Sequence, residues 1–79
     1  MPLAKISVRF GAAVRTQRQR LEISQERLAE QADLHVTYVS LVERGKRNPT
    51  LDVAERLARA LNMPLSRLVH ECESGSNED

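Results

Sequence analysis

The chain has 79 residues, 41% of them hydrophobic, and a formal net charge of +1. That length is expected to hold one domain, burying only about 60% of its unfolded surface, and no apolar run approaches the roughly 18 residues of a membrane span. The single cysteine, Cys72, excludes an intramolecular disulfide, and without a secretory leader pattern the expected home is a reducing cytoplasm.

Residues 1–6 read as a short N-terminal arm. Ser7 is then expected to cap a first helix over Val8–Leu21, in which Phe10, Val14 and Leu21 recur at helical spacing with Ala13 and Gln17 between them. Gly11 inside that helix costs up to about 1 kcal/mol relative to Ala, so a close backbone contact is expected there. Ser24 is a good N-cap for a second helix over Gln25–Gln31, with Glu26 complementing the helix dipole and Leu28, Ala29 and Ala32 facing inward. After the break Asp33-Leu34-His35, Val39 and Val42 are the inward pair of a third helix over Val36–Arg44, which Gly45 stops.

Lys46-Arg47-Asn48-Pro49 is a polar, basic loop. Thr50 caps a fourth helix with the inward set Leu51, Ala54, Leu57, Ala58 and Leu61, and Asn62 tolerates the left-handed conformation at its end. Pro64 suits the first turn of a fifth helix carrying Leu65, Leu68, Val69 and Cys72 at i, i+3, i+4 and i+7. The predicted architecture is all-α, with five helices over a domain of residues 7–72 and an acidic, unstructured tail at 73–79. Charge divides along the same boundary. Residues 1–70 hold all twelve Lys and Arg against seven acids, whereas Glu71, Glu73, Glu78 and Asp79 bring four negative charges.

Two short helices joined by a three- or four-residue turn make the helix-turn-helix unit, whose second helix can enter the DNA major groove. That geometry alone also fits an ordinary helical bundle. The fuller pattern is more specific: Phe10-Gly11 with Val14-Arg15 and Arg18; Ser24-Gln25 with Leu28-Ala29, Ala32 and Leu34; Tyr38-Val39-Ser40 with Val42-Glu43-Arg44-Gly45 and Arg47-Asn48-Pro49; then Leu57-Ala58 and Leu61. It closely resembles the phage repressor/Cro (XRE-type) helix-turn-helix family from residue 8 to about residue 70. The length and the run from Thr37 to Asn48 further resemble the controller proteins of restriction-modification systems, with prophage repressors and helix-turn-helix antitoxins as close alternatives.

The resemblance implies a homodimeric regulator that binds a double-stranded DNA operator, with the third helix as the recognition helix. With Val39 and Val42 inward, the helical period turns Val36, Thr37, Ser40, Leu41 and Arg44 outward. Gln25 matches the family glutamine that bonds a phosphate and braces the recognition helix. Thr37 offers a hydroxyl to a base edge or phosphate and a methyl to thymine, and Tyr38, Ser40 and Arg44 are further candidate contacts. Lys46, Arg47 and Asn48 match the family's backbone-touching segment. Many phage repressors have glutamine where this chain has Val36, so specificity is expected to lean on thymine-methyl contacts and DNA deformability. Arg18 and Glu43 match a family ion pair between the first and third helices.

The fifth helix is expected to supply the dimer interface through Leu65, Leu68, Val69 and Cys72, since these exceed what the small core beneath one helix should require. His35, His70 and Cys72 have no partners at zinc-site spacing, and no glycine-rich phosphate loop or nucleophile motif is present. Neither a metal, a cofactor nor an enzymatic activity is therefore expected, nor a small-molecule effector or a membrane partner. A reading of another class, a helical protein-interaction module that has lost DNA binding, predicts loss of Gln25 and of the basic loop, and both are present.

Overall fold

A computed structural model describes residues 4–74. Its helices are α1 (Ile6–Arg20), α2 (Gln25–Ala32), α3 (Val36–Glu43), α4 (Leu51–Ala60) and α5 (Leu65–Ser74), with no strand among the described residues. α1 packs on α5 and α3, α2 on α3 and α4, and α4 on α5. The core between them is aliphatic: Leu28, Leu57, Leu61, Leu68, Val14, Val39 and Val42 are fully enclosed. Each such side chain contributes roughly 1.5–3 kcal/mol by leaving water. None of the described helices is long and apolar enough to cross a membrane.

Capping follows the sequence at two of three sites. The Ser24 hydroxyl accepts the Arg27 amide at 3.0 Å and the Thr50 hydroxyl accepts the Val53 amide at 3.2 Å. Ser7 does not cap. The Val8 and Arg9 amides both reach the Lys5 carbonyl, at 3.0 and 3.1 Å, so the first turn closes earlier and Lys5 is the N-cap. Consequently Ile6, assigned to the arm, is helical. At the other end Glu73 and Ser74, assigned to the tail, continue α5, and the rest of that assignment lies outside the described residues.

One termination device is used four times. After α1, α2, α3 and α4 a residue with positive φ (Glu22, Asp33, Gly45, Asn62) donates to the carbonyl three residues back, and the next residue donates to the carbonyl five back. This is the Schellman geometry, which satisfies two orphan carbonyls and normally places an apolar side chain just after the left-handed residue. Ile23, Leu34 and Met63 fill that place and pack on the core. After α3 the residue is Lys46, which is exposed.

Two expectations about burial are overturned. Leu51, predicted to face inward, is 79% exposed, because as the first residue of α4 it lies a turn ahead of Ala54 and past the edge of the core. Leu68 and Cys72, predicted for a dimer interface, are interior within a single chain, at 0% and 2% exposure. α5 is the lid over α1 and needs them there. Leu65 is half-buried and Val69 exposed, so only these two of the four remain at the surface.

The close contact expected at Gly11 is present. A Cβ there would collide with the Val42 carbonyl oxygen and lie 3.0 Å from that of Glu43, so α1 crosses the end of α3 backbone to backbone. Gly11→Ala should therefore lower stability by about 1–3 kcal/mol through overpacking against rigid main chain. Urea titration should show the midpoint falling with its slope unchanged.

Burial also pushes the Cys72 thiol above its ordinary value of 9.0, and its Sγ donates to the Leu68 carbonyl at 3.2 Å. The unfolded chain therefore loses this proton first. The contribution to stability is complete below pH 9 and is lost as pH rises past that value toward the folded-state value. Native protein at pH 7.5–8 (about one unit below that value) should alkylate slowly with iodoacetamide and rapidly in denaturant. Fast native labelling would contradict a buried thiol.

Candidate nucleic-acid interface

α3 is anchored from beneath by one carboxylate. Glu43, whose side chain is 2% exposed, accepts Arg18 Nε at 2.6 Å on one oxygen and Arg18 Nη2 at 3.1 Å on the other. Gln25 Nε2 donates to that second oxygen at 3.0 Å. The remaining Arg18 nitrogen, Nη1, donates to the Ile23 carbonyl at 2.9 Å. The hydrogen bond to Glu43 raises the Arg18 guanidinium above its already high ordinary value, so it is a permanent cation. No buried side-chain nitrogen or oxygen among the described residues lacks a partner. The fork of arginine matches a carboxylate in a way lysine cannot.

Over this support lies the opposite face of α3. Thr37 is exposed on it, and Arg44, Lys46, Arg47 and Asn48 continue the exposed surface through the loop. Tyr38, Ser40 and Leu41 are half-buried. The Arg47 guanidinium carbon stands 5.7 Å from the centroid of the Tyr38 ring, within cation–π range, which links the loop to the helix. Arg44 Nε lies 3.4 Å from the Ser40 carbonyl.

Val36 differs from the expectation of a freely outward residue. It is half-buried and packed against the core, as Tyr38 is, so the outward face is narrower than the helical period alone suggests. Gln25 likewise is not free: its amide is committed to Glu43, leaving its second N–H and its carbonyl for other partners. His35 is the N-cap of α3 without a side-chain capping bond. Among the described residues no three of His, Cys, Asp and Glu gather as metal ligands.

Sequence reasoning missed Arg56. Its Nε donates to the Ala32 carbonyl at 3.0 Å and its Nη2 to the Asp33 carbonyl, tying α4 to the turn between α2 and α3. Arg56 lies on the polar face of α4, and no local pattern marks a partner 24 residues away.

The enclosed ion pair makes a stability prediction. Glu43→Ala should cost about 3–5 kcal/mol by stranding Arg18, whereas the double change Arg18→Met with Glu43→Leu should cost clearly less. Chemical denaturation of the single and double variants measures the difference. A loss of under about 1 kcal/mol for Glu43→Ala is what an exposed pair would give and would refute the anchoring role.

Comparison with known proteins agrees with this arrangement. Residues 14–68 match the helix-turn-helix family profile. The chain is 46% identical over 59 residues to control protein C.BamHI of Bacillus amyloliquefaciens, covering 73% of each. It is 39% identical over 69 residues to control protein C.MunI of a Mycoplasma species, covering 86% of this chain and 93% of that one. The crystal structure of the restriction-modification controller protein C.AhdI from Aeromonas hydrophila superposes with a TM-score of 0.76 at 40% identity, over 78% of this chain and 94% of that one. With the two-helix unit, its buried anchor and the matching profile in place, the chain belongs to the helix-turn-helix family and is similar within it to the restriction-modification control proteins.

Proposed function

We propose that this protein is a sequence-specific regulator of transcription that binds double-stranded DNA as a homodimer, of the restriction-modification controller kind. The observation that carries the proposal is the exposed surface Thr37, Arg44, Lys46, Arg47 and Asn48, held on a helix whose underside is fixed by Glu43. Eight residues of α3 make a rod of about 12 Å, which suits a major groove about 12 Å wide. Lys46 and Arg47 supply charge for phosphates, Asn48 a hydrogen bond, and Gln25 its free N–H at the start of α2. Thr37, with Tyr38, Ser40, Leu41 and Arg44, faces the base edges, and Val36 offers its exposed part to a thymine methyl.

For the dimer, α5 offers Val69 and the exposed part of Leu65, since Leu68 and Cys72 are committed to the core. A twofold dimer reads two inverted half-sites one helical turn apart, about 34–36 Å. A prophage repressor is the second reading, favoured by 34% identity over 61 residues to the immunity repressor of Bacillus phage phi105, of which the match covers 42%.

Phosphate and base contacts separate in a salt series. On a duplex selected by the protein from a random pool, Lys46→Ala should weaken all DNA alike and reduce the slope of log affinity against log salt by about 0.9. Thr37→Ala should cost about 1–3 kcal/mol on the selected duplex and little on a scrambled one, with the slope kept. Equal loss on both duplexes for Thr37→Ala, with no effect of Lys46→Ala, would leave the surface to a protein partner instead.

A further inference from the structure

α4 packs chiefly on α2 and α5, not on the recognition helix. α4 therefore reaches α3 by two routes, one through α5 and α1 and a shorter one through α2 and the three-residue turn Asp33-Leu34-His35. Arg56 spans that junction. Its two nitrogens hold the carbonyls of Ala32 and Asp33, the last of α2 and the first of the turn. Asp33 sits at φ 59°, ψ 49°, the left-handed conformation of the Schellman turn, which Asp adopts more readily than most L-residues and which leaves its carbonyl and that of Ala32 to Arg56. Among the described residues no other α4 side chain hydrogen-bonds to α2 or the turn.

We propose that Arg56 is a positioning residue for DNA recognition: by gripping both carbonyls from the α4 side, it fixes the angle at which α3 leaves the turn. The inference rests on the DNA-binding reading. It assigns Arg56 no phosphate. Lysine's three N–H groups radiate from one nitrogen, so it cannot reproduce the planar fork whose two separate nitrogens meet the two carbonyls.

The test compares wild type, Arg56→Lys and Arg56→Gln in three measurements: amide exchange, thermal melting, and affinity for the pool-selected and scrambled duplexes across a salt series. The Leu34 amide, bonded to the Ala29 carbonyl at 2.8 Å, reports on the turn, and the Leu61 amide, bonded to the Leu57 carbonyl at 3.0 Å, serves as control. In both variants exchange at Leu34 should rise about tenfold and the ratio of selected to scrambled affinity fall about tenfold, the loss of a charged hydrogen-bond pair. Leu61 exchange and the salt slope should hold. A slope reduced by about 0.9 with equal loss on both duplexes would make Arg56 a phosphate contact. Exchange rising at Leu34 and Leu61 together with a fall in melting temperature would make it a general stabiliser, and full activity of Arg56→Lys would show that charge alone matters. Each of these overturns the proposal. If wild type selects no duplex, the DNA reading fails, and the exchange arm still decides whether Arg56 holds the turn.

Discussion

The carboxylate of Glu43 is where three helices meet. It takes two hydrogen bonds from Arg18 of α1 and one from Gln25 of α2, and it belongs to α3. A charge so enclosed is tolerated only when its oxygens are fully engaged, and satisfying it fixes the mutual position of all three helices. Gly11 completes the constraint from two turns earlier on the same face of α1. Without a Cβ there, the backbone of α1 can approach the carbonyls of Val42 and Glu43 closely enough for the Arg18 fork to reach its target. Packing and polar contacts thus specify the same orientation of α3, and that agreement between levels is what gives one native arrangement a clear advantage over its competitors.

Much of this was legible in the sequence because it is local. Ser24 and Thr50 cap the helices that follow them, Gly45 and Asn62 stop the helices before them, and the spacing of Leu57, Ala58 and Leu61 marks a buried stripe. Gly11 announced a tight crossing through its poor helix propensity. The Arg18–Glu43 pair was legible only through resemblance, since nothing in the spacing of two charges 25 residues apart says that they meet.

What was not legible depends on the edge of the core and on long-range partners. Leu51 fits the apolar period of α4 as well as Ala54 does, but periodicity knows nothing of where the opposing surface ends. Leu68 and Cys72 looked surplus to a small core, yet α1 presents the small Ala13 toward the interior, and α5, packed on α1, needs both side chains to fill its share of the core. Glu22 and Asp33 gave no sign of a left-handed backbone, which glycine or asparagine would have signalled. The terminator after α3 was foreseen from Gly45, but its departure from the other three appears only when all four are compared: the place that Ile23, Leu34 and Met63 use for packing is given to Lys46.

Apart from Gln25, and from Val36 and Tyr38, which also pack on the core, the side chains that anchor α3 and those that face outward from it are different residues. Arg18, Gln25 and Glu43 are engaged with one another, whereas Thr37, Lys46 and Asn48 make no side-chain hydrogen bond within the fold among the described residues. Exposed positions of that kind usually change stability by no more than about 0.5 kcal/mol when substituted. The outward surface can therefore drift through many sequences at nearly constant fold stability, so descendants of one scaffold can diverge in what they recognise without passing through unfolded intermediates. An evolutionary lineage built this way gains new specificities by rewriting a handful of letters, while the residues beneath remain under a separate and stricter selection.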